Sequence, residues 1–447
     1  MKKGIFALST IALMVTQAST ASAASFDWKA EKGSKITVML SAHPMSDSLT
    51  ARETEFEKLT GIDVVFEVLP ESDYRIKLNA ELASKSDSVD VFMTGPSSNW
   101  EYSNGGWIEN LQPFIDNAKL TGKEWAFSDF YQGAINTNRW SGEEFAGVGT
   151  GPLYAIPMTM ENYLLHYRAD VLEKHGIAVP DTVDELIAAA KKLDGVEHNG
   201  NTLDGFVARG TEFWPILITG YGSVLFAYGV KDIEADGTSG ADSKASIEAT
   251  TAWSELMQYT PDGIASFDWN TALNHYMGGN AVFFLDADVM APTIRDAEKS
   301  SVANVAAFAP PPSGPAGRAS GVWLWALGMN TSSDDKNAAW YFIQWASSKA
   351  GMETLVKDGV INPTRASVAN GDAMKAVASE WPGYLEAQKI NGEIAGWHWN
   401  PSTRFSEAGN RWAEAVQEIY LGGATPKEAL GDAARDIDAI IQSTRKK

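Results

Sequence analysis

Residues 154–186 decide the fold, and they read YAIPMTMENYLLHYRADVLEKHGIAVPDTVDEL. The stretch predicts a short extended segment closed by Pro157, then an apolar run and a charged helix. That helix should end at Gly176, because glycine readily adopts the left-handed conformation that terminates helices. Thr182 and Glu185 have the spacing of a capping box, which predicts a second helix. A strand followed by two helices in so short a stretch is typical of an α/β protein.

Glu161 and Asn162 are the unusual residues of this stretch. Both are strongly polar, yet they stand where a strand enters an apolar run. Two interpretations are open: the pair either caps a structural element or faces a cleft. The second interpretation makes both side chains candidate ligand contacts.

The first part of the chain alternates predicted strands and helices. Apolar runs predict strands at 35–40, 62–70 and 89–93, with amphipathic helices between them. This alternation predicts a parallel sheet with helices on its faces. Ligands of such sheets lie beyond the carboxyl ends of the strands. The loops 41–48 and 94–100 are therefore candidate binding loops.

Several side chains near predicted strand ends have both a structural and a functional interpretation. A single histidine in a polar loop, such as His43, is more often solvated than functional, although this one directly follows a strand. Trp214 precedes Pro215 and either packs at a helix entry or contacts a ligand. Asp286 and Asp288 follow a buried strand and point the same way. They either cap a helix, bind ligand hydroxyls or form an acid–base pair.

The N-terminus, the charge and the cysteine count limit the function classes. Residues 1–23 have a basic start, an apolar core and a small-residue cleavage site, which predict a signal peptide and a mature chain that starts at Ala24. The sequence contains no cysteine, so it offers neither a disulfide nor a lipid-accepting residue. Its formal net charge of −21 disfavours nucleic acid and anionic membrane surfaces as partners. We expect a periplasmic protein that is not lipid-anchored.

Motifs of common enzymes and metal sites are absent from the sequence. It contains no GxSxG elbow, no HExxH and no phosphate-binding glycine loop, and its six histidines stand singly. We therefore predict no catalytic residue, no metal site and no cofactor. Aromatic and acidic residues near strand ends instead suit a cleft for polyhydroxylated small molecules, because ring faces pack on sugars and carboxylates bind hydroxyls.

Five segments carry a family resemblance that spans essentially the whole predicted mature chain. They are FEKLTGIDVVFEVLP with the later SVDVFMTG, the opening stretch, GGNAVFFL, the Pro-rich loop before GVWLWALGMN, and TPKEALGDAARDID. In these segments the chain resembles the extracellular solute-binding proteins of ABC transporters, in the sugar-binding, maltose-binding-protein-like group.

The resemblance implies an α/β periplasmic-binding-protein fold of two lobes. Each lobe would be a mainly parallel sheet flanked by helices, with the ligand cleft at the hinge. Lobe one would comprise 24–153 with 322–370, and lobe two 154–321 with 371–447. The chain would cross between the lobes at three places: near 151–159, 320–327 and 367–372.

The resemblance also implies a set of ligand contacts on both lobes. These are Ser41, His43, Asp47, Thr94, Ser97, Glu161, Asn162, Thr211, Trp214, Asp286, Trp323, Arg365 and Trp399. Thr94 and Asp286 stand where maltodextrin binders would be expected to carry stacking aromatic residues. A mono- or disaccharide, a glycoside or a sugar alcohol is therefore favoured over a long oligosaccharide.

The implied function is that of a non-enzymatic, monomeric receptor in the periplasm. It would close on a small carbohydrate or polyol and deliver it to the permease subunits of an ABC importer in the inner membrane. The alternative is a secreted carbohydrate-active enzyme that uses Glu161 and Asp286 as its carboxylate pair. A separation of about 5–10 Å between the two carboxyl groups would favour the enzyme.

Overall fold

The computed structural model describes residues 25–378 and 381–445. The predicted signal peptide, residues 1–23, and the expected start of the mature chain at Ala24 lie outside the described residues. Among the helices of the described part, none combines the length and the apolar character that a membrane crossing requires.

Ten strands form a single sheet at the centre of the molecule. They are β1 (Lys35–Ser41), β2 (Asp63–Leu69), β3 (Val91–Thr94), β4 (Ala155–Arg168), β5 (Val196–His198), β6 (Asn201–Val207), β7 (Ala281–Ala287), β8 (Ala306–Ala309), β9 (Ser320–Met329) and β10 (Ala395–Gly396). Their order is β2-β1-β3-β9-β4-β7-β6-β5, with β10 paired to β9 and β8 paired to β4.

The pairing directions divide the sheet into two halves that share two long strands. Parallel pairs join β1 to β2, β1 to β3, β6 to β7 and β9 to β10. Strands β4 and β9 run antiparallel to each other and to their other long neighbours. The parallel pairs follow from strand–helix–strand units in each half, whereas β4 and β9 connect the halves.

Nineteen α-helices of the described residues cover the faces of the sheet. The first ten are α1 (Pro44–Thr50), α2 (Glu53–Thr60), α3 (Glu71–Ala83), α4 (Pro96–Gly105), α5 (Gln112–Ile115), α6 (Gln132–Asn136), α7 (Ala169–His175), α8 (Val183–Leu193), α9 (Gly220–Ala227) and α10 (Lys244–Leu256). The others are α11 (Trp269–Met277), α12 (Ala291–Ile294), α13 (Lys336–Ala346), α14 (Lys349–Lys357), α15 (Ala366–Ala369), α16 (Asp372–Ala378), α17 (Tyr384–Ile394), α18 (Phe405–Tyr420) and α19 (Pro426–Arg445). Short 3-10 helices lie at Lys123–Trp125, Phe127–Asp129, Trp214–Leu217, Met257–Tyr259, Ile264–Ser266 and Asp288–Met290.

Strand β4 is longer than the sequence predicts, because it continues through Pro157. Its pairing register with β9 shifts between Pro157 and Thr159. A proline lacks the N–H that a regular ladder needs, and such a bulge accommodates it. The Thr364 hydroxyl donates to the Pro157 carbonyl at 2.6 Å and supports the irregular backbone. The extended segment therefore does not close at Pro157.

Strand β4 also changes neighbours along its length. Residues 155–162 pair with β9, whereas 163–167 pair with β7. The polar pair Glu161 and Asn162 stands at this change of partner. The passage between the two halves of the sheet thus lies within one continuous strand, while the lobe boundaries expected from the resemblance stay a prediction.

The capping box and the helix end predicted within residues 154–186 are both confirmed. The Thr182 side chain accepts from the Glu185 N–H, and the Glu185 carboxylate accepts from the Thr182 N–H, so the capping box at the start of α8 is complete. Helix α7 ends at Gly176, whose φ of 60° is left-handed. These two features give the turn between α7 and α8 a defined geometry.

Candidate functional site

A cavity of about 600 Å³ lies where the two halves of the sheet meet. Its wall includes the loop after β1, the start of α3, the middle of β4 and β9, and the segments that follow β6 and β7. Six of the predicted contacts line it: Ser41, His43, Asp47, Glu161, Trp214 and Trp323. It is also lined by residues that the sequence analysis did not single out, among them Glu71, Arg75, Tyr163, Arg209, Trp269 and Trp325.

Glu161 is held by two donors on one carboxylate oxygen. Its Oε1 lies 3.1 Å from His43 Nε2 and accepts from Trp325 Nε1 at 2.8 Å. The other ring nitrogen of His43, Nδ1, accepts from the Met45 N–H at 3.0 Å. Because Nδ1 accepts, the proton of the neutral imidazole is on Nε2, which donates to Glu161. Oε2 of Glu161 accepts no hydrogen bond from the described residues and is available to a ligand.

Arg75 is enclosed by tryptophan rings. Its guanidinium carbon lies 4.9 Å from the ring centre of Trp214, 5.6 Å from that of Trp325 and 5.7 Å from that of Trp323. The same guanidinium donates to Glu71 Oε1 at 2.8 and 3.1 Å. An arginine side chain can make both contacts at once, because its planar cation stacks on aromatic rings while the N–H groups at its edge form an ion pair.

Asp286 does not reach the cavity itself but positions Arg209, which does. Asp286 is fully buried, and its two oxygens accept from Arg209 Nε at 2.8 Å and Nη2 at 2.7 Å. Burial alone would lower the pKa of Arg209, but the charge of Asp286 and its hydrogen bonds raise it above the usual range. The Ala287 N–H also donates to Asp286 Oδ1. The aspartate is thus fully engaged, and Arg209 is the group presented to a ligand.

The charges of the cavity wall are therefore mostly balanced within the wall. Arg75 pairs with Glu71, and Arg209 pairs with Asp286. The three further charged residues of the lining are Glu161, the exposed Asp47 and the exposed Lys299, which forms an ion pair with Asp296. Arg75, Arg209 and Lys299 are each paired with a carboxylate. This pairing suits an uncharged ligand with several hydroxyl groups better than an anionic one.

Thr94 and Ser97 lie behind Trp323 rather than on the cavity. Gly95, between them, is in contact with the Trp323 ring, and a Cβ at this position would overlap that ring. The Thr94 hydroxyl donates to the Asn99 side chain at 2.9 Å, and Ser97 is fully buried. The sequence prediction placed both residues on the rim because the loop follows β3, but a tryptophan from β9 covers it.

Arg365 is not on the cavity either. Its side chain is fully buried and donates to the carbonyls of Ser347, Ala126 and Trp125 at 2.7, 3.1 and 2.6 Å. It also contacts Asp129 at 3.3 Å. Burial lowers the pKa of Arg365 to about 10. The residue joins three chain segments, so its role is structural and not, as predicted, ligand contact.

Three more of the predicted contacts lie outside the cavity lining. Asn162 donates to Asp288 from its backbone N–H at 3.1 Å and from Nδ2 at 3.3 Å. Thr211 is half-buried in the segment before Trp214. Trp399 is buried and packs edge-on against Phe405 and Trp412. Asn162 nevertheless adjoins Glu161 in the chain.

The residues that the sequence analysis missed carry recognisable signals. Arg209 stands two positions after the end of β6, where the rule of ligands beyond carboxyl ends applies as well as after β1. Arg75 and Glu71 have the four-residue spacing of a helical ion pair on the first turns of α3. Trp325 alternates with Trp323 on β9, so both side chains share one face.

Comparison with known proteins assigns the chain to a family. The family of bacterial extracellular solute-binding proteins matches residues 44–353. This chain belongs to the bacterial extracellular solute-binding proteins. An erythritol/L-threitol-binding protein of Mycolicibacterium smegmatis is 33% identical over 404 residues, which cover 89% of this chain and 84% of that protein. A mannitol-binding protein of Pseudomonas aeruginosa is 26% identical over 311 residues, 67% of this chain and 66% of the other.

Solved structures place the fold of this solute-binding protein in the same group. An ABC transporter solute-binding protein of Agrobacterium radiobacter in complex with ribitol superposes with a TM-score of 0.79 at 23% identity, over 92% of this chain and 99% of that one. A maltose-bound protein of T. maritima superposes with a TM-score of 0.77 at 22% identity, over 91% and 99%. The predicted two-lobed α/β fold and the predicted solute-binding function are confirmed.

Proposed function

We propose that this solute-binding protein binds a short, uncharged sugar alcohol in the cavity around Glu161 and passes it to an ABC importer. The observation that carries the proposal is the pairing of both arginines of the wall with carboxylates. The ion pairs Arg75–Glu71 and Arg209–Asp286 engage both arginines of the wall and leave their hydrogen-bonding edges, while the Glu161 carboxylate remains as an acceptor. Hydroxyl groups both donate and accept, so they match a wall that offers guanidinium N–H groups beside carboxylate oxygens.

The aromatic residues favour a short acyclic ligand over an oligosaccharide. Sugar rings stack on exposed aromatic faces, yet the rings of Trp214, Trp323 and Trp325 already pack on Arg75 and on one another. Trp269 lines the cavity without a ring or cation packed on it in the described part of the chain. The free face of Trp269 can stack on at most one sugar ring, whereas an acyclic polyol needs no stacking partner.

The relatives support the same ligand class. The name of the Mycolicibacterium smegmatis relative gives erythritol and L-threitol, both four-carbon polyols. The name of the Pseudomonas aeruginosa relative gives mannitol. We infer a similar ligand for this chain, with erythritol as the first compound to test.

The receptor role excludes turnover, and the arrangement of the acids supports this. The enzymatic alternative needs Asp286 as a free carboxylate beside Glu161. Both oxygens of Asp286 instead accept from Arg209, and the residue is fully buried. We further propose that the protein acts as a monomer in the periplasm and that its partner is the permease of the importer.

A thermal-shift screen tests the ligand class. The compounds are erythritol, L-threitol, ribitol, mannitol, maltose and gluconate, with calorimetry on each compound that raises Tm. A ligand at one hundred times its Kd stabilises the native state by about 2.7 kcal/mol, which is readily measured as a raised Tm. Polyols should stabilise and gluconate should not. Stabilisation by maltose or gluconate alone overturns the proposal, and consumption of a stabilising compound, followed by NMR, overturns the receptor role.

A further inference from the structure

A cluster of four polar residues, of which one is fully buried and three are half-buried, adjoins residues of the cavity lining in the chain. Its centre is the carboxylate of Asp288, which is fully buried and follows β7. It accepts from the Asn162 N–H at 3.1 Å, from Asn162 Nδ2 at 3.3 Å and from Asn362 Nδ2 at 2.6 Å, and it also accepts from Gln388. No residue of this cluster lines the cavity.

The three partners of Asp288 come from three different segments: β4, the segment after α14 and helix α17. Asn162 lies at the point where β4 exchanges its pairing with β9 for pairing with β7. Asn362 lies in the segment after α14, and its carbonyl accepts from the Met160 N–H at 3.0 Å. Gln388 is on α17, which packs against β8 in the second half of the sheet. The Asp288 carboxylate thus joins β4 and the segment after α14 to helix α17 in the second half of the sheet.

The cluster is one residue away from the cavity on two elements. Val289 and Met290, which follow Asp288, line the cavity, and Glu161, which precedes Asn162, lines it too. The cluster is therefore linked through the backbone to three residues of the cavity lining. Ile361, beside Asn362, packs in a small apolar group with Leu164 and other residues of the second half, so the cluster is fixed on that side.

Asn362 has a backbone conformation that its side-chain hydrogen bond helps to hold. Its φ is 62°, in the left-handed region that asparagine tolerates better than most residues. The side chain donates to Asp288 from this position. The same residue type in the same conformation occurs at Asn199, which is exposed, has a φ of 51° and lies in the turn between β5 and β6.

We propose that the Asp288 carboxylate and its three amide-bearing partners form a hinge node, which fixes the relative orientation of the two lobes and thereby tunes ligand affinity without touching the ligand. Asp288 is a positioning residue in this arrangement. The hydrogen bond between Asp288 and Asn362 joins the second lobe to the segment after α14. That segment is in turn bound to the first part of β4, because the Asn362 carbonyl accepts from the Met160 N–H. Loss of the bond between Asp288 and Asn362 releases one lobe relative to the other.

The protonation of Asp288 adds a pH dependence to the node. Burial raises the pKa of Asp288 to about 7, although its hydrogen bonds act in the opposite direction. The ionised carboxylate accepts from all its donors, whereas the protonated form loses an acceptor site and weakens the node. The titratable and charged groups that face this region are Glu161, Tyr163 and His166 on β4, Asp286 with its partner Arg209, and Tyr384 on α17. Burial lowers the pKa of His166 to about 4 and raises the pKa values of Tyr163 and Tyr384 well above the usual range.

Distance measurements between the lobes test the node without any ligand. The chain has no cysteine, so the substitutions Asn79→Cys and Lys192→Cys at exposed sites on α3 and α8 accept spin labels with no background. Pulsed electron paramagnetic resonance then gives the interlobe distance distribution. In this background Asn362→Gly keeps the left-handed backbone accessible and removes the hydrogen bond, while Asn199→Gly makes the same chemical change away from the node.

The node predicts that Asn362→Gly shifts the mean distance or adds a second population, with a change of about tenfold in the equilibrium between lobe orientations. Asn199→Gly should reproduce the parent distribution. A parent-like distribution for Asn362→Gly overturns the proposal, and so does an equal change in both variants. The result does not depend on which compound binds, so a failed ligand screen and a failed hinge test are distinguishable.

A pH series adds a second, independent readout. The parent distribution should change between pH 6 and pH 8, and the Asp288→Asn variant should show no such change, because an amide does not ionise in this range. His43 and the other histidines are present in both proteins, so the difference isolates Asp288. A pH response of equal size in both proteins contradicts the assignment to this carboxylate.

Discussion

Replacing Glu161 by glutamine tests whether its two carboxylate oxygens have different roles, one structural and one in ligand binding. Oε1 accepts from His43 Nε2 and Trp325 Nε1, and a glutamine carbonyl oxygen in the same place can accept from both. The amide nitrogen then replaces Oε2, the oxygen that the described residues leave free for a ligand. An acceptor in the cavity thus becomes a donor, while the contacts to His43 and Trp325 persist.

The size of the effect follows from these contacts. A hydrogen bond to a charged group contributes about 1.5–3 kcal/mol, and each 1.4 kcal/mol is about a tenfold change in affinity. Glu161→Gln should therefore bind erythritol, or the polyol selected by the screen, about 10–150-fold more weakly, with little change in Tm. Glu161→Ala should also lower the free energy of unfolding by about 1–3 kcal/mol for each donor left unsatisfied.

Calorimetric titration and urea unfolding of the three proteins distinguish the two effects. Parent-like affinity in Glu161→Gln would show that Oε2 does not meet the ligand. Equal loss of stability in the glutamine and alanine variants would show that the carbonyl does not replace Oε1. Either result refutes the division of roles between the two oxygens of Glu161.

Three further changes have defined outcomes. Arg365→Ala should lower the free energy of unfolding by about 2–5 kcal/mol in urea titrations, because the half-buried partner Asp129 and three carbonyls lose their donor and the buried side chain leaves a cavity, and polyol affinity in the surviving native protein should stay within a factor of two or three. Gly95→Ala should displace the Trp323 ring, since a Cβ overlaps it, and should weaken polyol binding at least about tenfold by calorimetry; unchanged affinity would contradict the contact. The stability that protonated Asp288 contributes should be lost as pH rises from about 4 to about 7, because its folded-state pKa is raised to about 7. Tm of the parent protein should therefore fall relative to that of Asp288→Asn over this range, and a constant difference would refute the raised pKa.

The regular features of the fold are predictable from local sequence. The capping box of Thr182 and Glu185 and the left-handed Gly176 depend on neighbouring residues, so a single sequence contains them in full. The length of β4 does not follow in the same way. Pro157 interrupts a regular ladder, and only the bulge opposite β9 and the Thr364 hydroxyl, far along the chain, allow the strand to continue.

The cavity is less predictable, because its shape depends on side chains from distant segments. The loop after β3 has the right position for ligand contact, yet Trp323 from β9 covers it. Asp286 has the right chemistry and stands at a strand end, but Arg209 occupies its oxygens. Sequence position indicates which loops face a cleft, whereas long-range packing decides which of their side chains reach it.

The paired charges of the cavity wall have a consequence for the conditions in which the protein works. Interactions between free charges weaken as salt screens them over about 10 Å at 0.1 M ionic strength. The ion pairs Arg75–Glu71 and Arg209–Asp286 are largely shielded from solvent, with side chains at most 15% exposed. An uncharged ligand adds no net charge to them. Capture should then be nearly independent of ionic strength, so that such a receptor would collect its solute equally well from dilute and from saline surroundings.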